Sequence, residues 1–124
     1  METGGRKKTG TAMLALTFEN RQGRLRIFKS VIAALGKPEY IRLLISKEDR
    51  AVAVQESSAR DRDAISVSEK IREGSTGFYV NSRALVEAVS DIMSWSQKKN
   101  YRVDGRMSED GIIVFLLDEA RELS

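Results

Sequence analysis

Residues 25–55, LRIFKSVIAALGKPEYIRLLISKEDRAVAVQ, read as a short strand, a two-turn helix, and two strands joined by a tight turn. A weaker copy follows at residues 78–118, FYVNSRALVEAVSDIMSWSQKKNYRVDGRMSEDGIIVFLLD. The two align helix on helix and turn on turn. Ser30 falls against Ser82, Ala34 and Leu35 against Ala88 and Val89, Tyr40 against Tyr101, and the turn Ser46-Lys47-Glu48-Asp49 against Ser108-Glu109-Asp110. Two similar modules fused in one chain must share one hydrophobic interior. The fold class expected is therefore α+β, with duplicated β-α-β-β-β units whose two helices pack on antiparallel sheet.

Periodicity and turn chemistry fill in the remainder. Leu14, Leu16 and Phe18 alternate with Ala15, Thr17 and Glu19, the pattern of a half-buried strand. Asn20 and Gly23 mark a turn, and Leu25 and Ile27 resume the inward face, so residues 12–28 predict a hairpin. Phe28, Val31, Ile32 and Leu35 form the apolar stripe of the first helix, near 29–36, which Gly36 stops and Pro38 keeps from resuming. The second helix, near 82–96, takes Asn81 or Ser82 as its N-cap. It buries Leu85, Ala88, Val89, Ile92 and Trp95 and turns Arg83, Glu87, Ser90, Asp91 and Ser94 outward. Eight strands are expected, near 12–19, 24–28, 39–46, 51–55, 64–68, 77–80, 100–107 and 111–117. Residues 112–117 are apolar on both faces, as suits a central strand or one buried against another chain. Residues 1–11 predict a flexible basic tail, and 12–124 one domain of two units at about 12–68 and 77–118. Gly74-Ser75-Thr76-Gly77 is the joint, and the acidic end DEARELS is expected to fray.

Composition excludes more chemistry than it suggests. With no cysteine and no histidine, disulfides, thiolate nucleophiles, imidazole bases and His-based metal sites are all absent. Gly74-Ser75-Thr76-Gly77 lacks the spacing and the lysine of a phosphate-cradling loop. Asp61, Asp63, Asp104, Asp110, Asp118 and Glu119 sit in expected turns or at strand ends, where solvated turn chemistry accounts for them better than Mg²⁺. No catalytic residue, cofactor or metal site is expected, nor a membrane span or signal peptide, and the cytoplasm is the expected compartment.

The net charge of +3 conceals an asymmetry. Residues 1–42 hold nine basic residues against three acidic ones, a balance of +6, which leaves −3 for the remainder. Arg24 and Arg26 alternate with Leu25 and Ile27 and so leave the core face, and Lys29 and Lys37 occupy the free face of the first helix. Arg6, Lys7 and Lys8 add a cationic arm. These seven are the candidate nucleic-acid-binding residues, suited to neutralising phosphates without reading sequence.

Eight strands and two helices in two β-α-β-β(-β) units resemble one domain of the DNA sliding clamps, over residues 12–117. In that family the helices line a central hole facing the DNA backbone, and the sheets form the outer wall and the edge-to-edge subunit joints. The resemblance implies a non-enzymatic, self-associating module that holds duplex DNA by diffuse charge. Two departures stand against it. The strand that should close the second unit lies instead at the N-terminal end, at residues 12–19, and the second helix is poor in cations. A different expectation is a small protein-interaction or regulatory subunit that pairs through a sheet edge and holds no nucleic acid.

Overall fold

The computed structural model describes residues 13–72 and 77–123. The chain is α+β, with nine antiparallel strands among the described residues in one curled half-barrel sheet that wraps its helices on the inner side. In chain order the elements are β1 (Ala15–Glu19), β2 (Arg24–Ile27), α1 (Lys29–Ala34), β3 (Tyr40–Ser46), β4 (Ala51–Glu56) and β5 (Ile65–Ser66). There follow α2 (Glu69–Arg72), β6 (Phe78–Asn81), α3 (Arg83–Met93), β7 (Asn100–Met107), β8 (Ile113–Leu116), a 3₁₀ turn (Leu117–Glu119) and β9 (Arg121–Leu123).

The strand order is β5-β3-β4-β8-β7-β1-β2-β6, with β9 added to β7 on the edge opposite β1. β2 and β6, which open the two similar stretches, pair with each other, and so do β4 and β8, which close their hairpins. β5 flanks β3 as β1 flanks β7. β8 is therefore central, between β4 and β7, and burial on the inner face accounts for Ile113 and Phe115 of its apolar run, while Val114 and Leu116 face outward.

One core fills the curl. Leu16, Phe18, Leu25, Ile27, Val103 and Phe115, all without exposure, meet Val31 and Ile32 of α1 and Val89 of α3. Trp95 anchors the end of α3, its ring stacked on Tyr101 at 4.3 Å and edge-on to Phe18 at 5.4 Å. α1 ends in a Schellman motif: Gly36, at φ +86°, sends its N–H to Ala33 O, and the Lys37 N–H reaches Ile32 O at 2.9 Å. Ser82 caps α3 by accepting the Leu85 N–H at 3.2 Å. The two hairpin turns are held alike, since Ser46 Oγ accepts from the Asp49 N–H and Ser108 Oγ from the Ile112 N–H.

Four expectations are corrected. Phe28 is not part of the α1 stripe; it is the N-cap residue, with extended backbone (φ −67°, ψ 145°), so its side chain follows the alternation of β2. α3 buries Val86, Val89 and Ser90, which leaves Ala88 exposed where the sequence suggested burial, and Ser90 inside where it suggested solvent. The acidic end does not fray: it makes the 3₁₀ turn and β9. Residues 69–72, which the sequence leaves between the two units, form α2, which lies against α1. The tail at 1–11 and most of the joint, residues 73–76, fall outside the described residues.

Ser90 yields a prediction. Its side chain is 1% exposed and its Oγ has no hydrogen-bond partner among the described residues. Burying an unpaired hydroxyl is costly, and alanine is the better helix former. Ser90→Ala should therefore raise stability by about 1 kcal/mol, read as a rise of roughly 4 °C in Tm. A fall in Tm would show that the hydroxyl is satisfied.

Candidate nucleic-acid interface

Antiparallel register turns the alternation of single strands into rows that cross the sheet. On the outward face Arg26 stands opposite Tyr79 on one side and Thr17 on the other. Thr17 stands opposite Arg102, and Arg102 opposite Arg121. Five strands thus place Tyr79, Arg26, Thr17, Arg102 and Arg121 in one line, about 19 Å long at roughly 4.8 Å per strand. In the next row Arg24 lies between Asn81 and Glu19. The inward neighbours Leu25, Ile27, Leu16 and Val103 fix this orientation by their complete burial.

Aromatic rings hold the guanidinium groups against this face. Arg24 lies 4.2 Å from the Tyr79 ring centroid, and Arg26 and Arg102 each lie 4.8 Å from that of Phe28. Such contacts stabilise by about 0.5–1 kcal/mol each at exposed sites, enough to favour one placement of a long side chain. Phe28 can serve two arginines because it ends β2 on the outward side, leaving α1 to start at Lys29.

The charges are only partly compensated. Glu19 accepts from Arg24 Nε at 2.6 Å, and that hydrogen bond raises the arginine's already high pKa. Asp104 lies 3.3 Å from both Arg102 and Arg121. Arg26 has no carboxylate at ion-pair distance among the described residues. Its Nε is enclosed without an acceptor among the described residues, against Gly77, where an added Cβ would come within 2.8 Å of it. Four arginines against two carboxylates leave the face with a surplus of +2.

Of the residues expected from sequence, Arg24 and Arg26 are thus brought together. Lys29 is exposed immediately after Phe28. Lys37 lies past the other end of α1, beyond the turn at Gly36. At that end Ala34 and Leu35 border a cleft of about 340 Å³ whose charged lining is Glu56 and Asp110. Arg6, Lys7 and Lys8 lie outside the described residues. On α3 the exposed charges are Arg83, Glu87 and Asp91, so that helix presents no cationic face. Phe28, Tyr79, Arg102 and Arg121 are the members the sequence did not single out. Arg102 carries a signal, alternation with the buried Tyr101 and Val103, but nothing in one sequence says which strand lies beside it.

The carboxylates are engaged elsewhere. Asp61 accepts from the Asp63 N–H, the Ser57 hydroxyl and Arg42, and these bonds, the backbone one first, hold its carboxyl below the usual range. Asp118 pairs with Arg50, which also reaches Ile92 O. Among the described residues no three His, Cys, Asp or Glu side chains gather as metal ligands, and no helix is long and apolar enough to cross a membrane. Compared with models of protein families, with curated proteins and with solved structures, the chain gives no match.

Proposed function

We propose that this protein is a non-enzymatic cytoplasmic module that binds nucleic acid without reading its sequence, through the arginine-aromatic face of its sheet, on a duplicated frame like that of a sliding-clamp domain. The observation that carries the binding is the in-register row of Arg26, Arg102 and Arg121 with Tyr79 at its end, in which Arg26 has no carboxylate partner among the described residues. Phosphate oxygens satisfy guanidinium donors with no demand on base identity.

The duplicated frame is supported by the pairing pattern. Like strands meet like strands at β2·β6 and β4·β8, as a two-fold relation between halves requires. β1 stands against β7 where β5 stands against β3, so the strand missing from the end of the second unit is supplied from the beginning of the chain. The placement of the cations departs from clamp practice, in which the helices meet the DNA.

Fluorescence anisotropy with a labelled oligonucleotide at low salt is the direct test. Binding that weakens steeply as salt rises is the expected result. No binding at about 50 mM salt would end the proposal.

Self-association completes the reading. Leu44, Ala53, Val114 and Leu116 place an apolar strip on the outward side of β3, β4 and β8, with Leu44 37% and Leu116 40% exposed. The same strip supports the rival reading, a regulatory subunit that docks on another protein. Light scattering separates the two, since a homo-oligomer dissociated by Leu116→Lys is expected here and a strict monomer favours the rival.

A further inference from the structure

The site above leaves open which form of nucleic acid it takes, and the shape and chemistry of the face bear on that choice. We infer that its ligand is a single strand, whose bases stack on Tyr79 and on the ring-held guanidinium groups of Arg24, Arg26 and Arg102. This rests on the proposed reading of the face as a nucleic-acid site and narrows it to one substrate class.

Shape is the first ground. The core and both long helices occupy the inner side of the curl, so the arginine row lies on its outer, convex side. A duplex is a stiff convex cylinder with a persistence length of about 150 base pairs, and two convex bodies touch over a short arc. A single strand bends within a few nucleotides and can follow a row about 19 Å long across five strands.

The reach of the side chains is the second ground. Cations that serve a duplex have only phosphates to meet, and long, extended side chains do that best. Here the guanidinium groups are drawn back onto rings, and the side chains of Arg24 and Arg102 are only 35% and 27% exposed. Held flat against the sheet, they offer π surface as well as charge. Unpaired bases can use both, whereas bases within a duplex are already stacked on one another.

Tyr79 is the third ground. At 41% exposure it is among the most open large hydrophobic side chains described, on a strand that ends the sheet. Arg24 accounts for one contact of its ring, 4.2 Å from the centroid. An exposed ring beside Arg24 and Arg26, at the end of a row that runs on to Arg102 and Arg121, is the combination that base stacking with backbone neutralisation requires.

The test uses the whole chain and two labelled probes, a thymidine strand of about 16 nucleotides and a duplex of the same length, both at about 50 mM salt. The single strand is expected to bind about tenfold or more tightly than the duplex. Tyr79→Ala should cost about tenfold on the single strand and little on the duplex, while Tyr79→Phe, which keeps the ring, should retain wild-type affinity. Equal or tighter binding of the duplex, or equal losses on both probes with Tyr79→Ala, overturns the inference and leaves the site itself standing. No binding of either probe removes the site and the inference together.

Discussion

Gly105→Ala should destabilise the fold by about 3 kcal/mol, the upper end of what overpacking a well-filled core costs. A Cβ at this position would fall 2.4 Å from Phe115 Cε2 and 2.6 Å from its Cδ2. Phe115 is fully buried, so its ring has no solvent side toward which to retreat. Gly105 is also the corner of β7: up to Asp104 the strand pairs with β1, and from Gly105 to Met107 it pairs with β8. The Gly105 N–H still reaches Leu14 O at 2.8 Å, which pins the corner from the other side. A shift that relieves the ring therefore strains both ladders. Urea unfolding should show a lower midpoint at unchanged slope. Because ring and glycine are in contact, Gly105→Ala combined with Phe115→Leu should be less damaging than the two single losses added, by about 1 kcal/mol or more. Strict additivity would show that the overlap is not the cause.

The second large effect concerns binding. Arg26→Glu with Arg102→Glu reverses two charges that flank one ring, and nucleic-acid affinity should fall about 100-fold at roughly 50 mM salt. The dependence of log affinity on log salt should flatten by about two phosphate contacts. Lys29→Glu with Lys37→Glu carries the same formal change on α1, and here a smaller loss is expected because Lys37 lies away from the row. Circular dichroism must first show that both variants fold, since Arg26 and Arg102 also pack on Phe28. A greater loss from the lysine pair would return the contact surface to the helices, as in a clamp.

Local structure was open to sequence reasoning because its causes are local. Alternation placed β1 to β4 and β7, Gly36 and Ser82 announced a helix end and a helix start, and Ser46 and Ser108 marked two hairpin turns. The misreadings share a different origin. Phe28 has helical spacing to Val31 and Ile32, yet its extended backbone hands its side chain to the strand before it. In α3 two overlapping stripes were available, one through Leu85 and Ala88 and one through Val86 and Ser90. Packing against β2 and the core chose the second, at the cost of an enclosed hydroxyl. The candidate site was half visible: outward alternation shows Arg24 and Arg26, but the partnership with Arg102 and Arg121 exists only through pairings between strands distant in sequence. Register of that kind is set by the whole core and leaves little trace in any one segment.

The position of β1 between β2 and β7 has a kinetic consequence. Phe18 waits for Tyr101 and Arg24 for Asn81, so closing the sheet joins residues more than eighty and more than fifty places apart. Such non-local pairing slows folding, toward milliseconds or seconds, because chain entropy is lost before most contacts form. During synthesis β1 and β2 leave the ribosome with their outer partners, β7 and β6, still untranslated. Neither similar stretch should survive as a severed fragment, since each lends the other a strand.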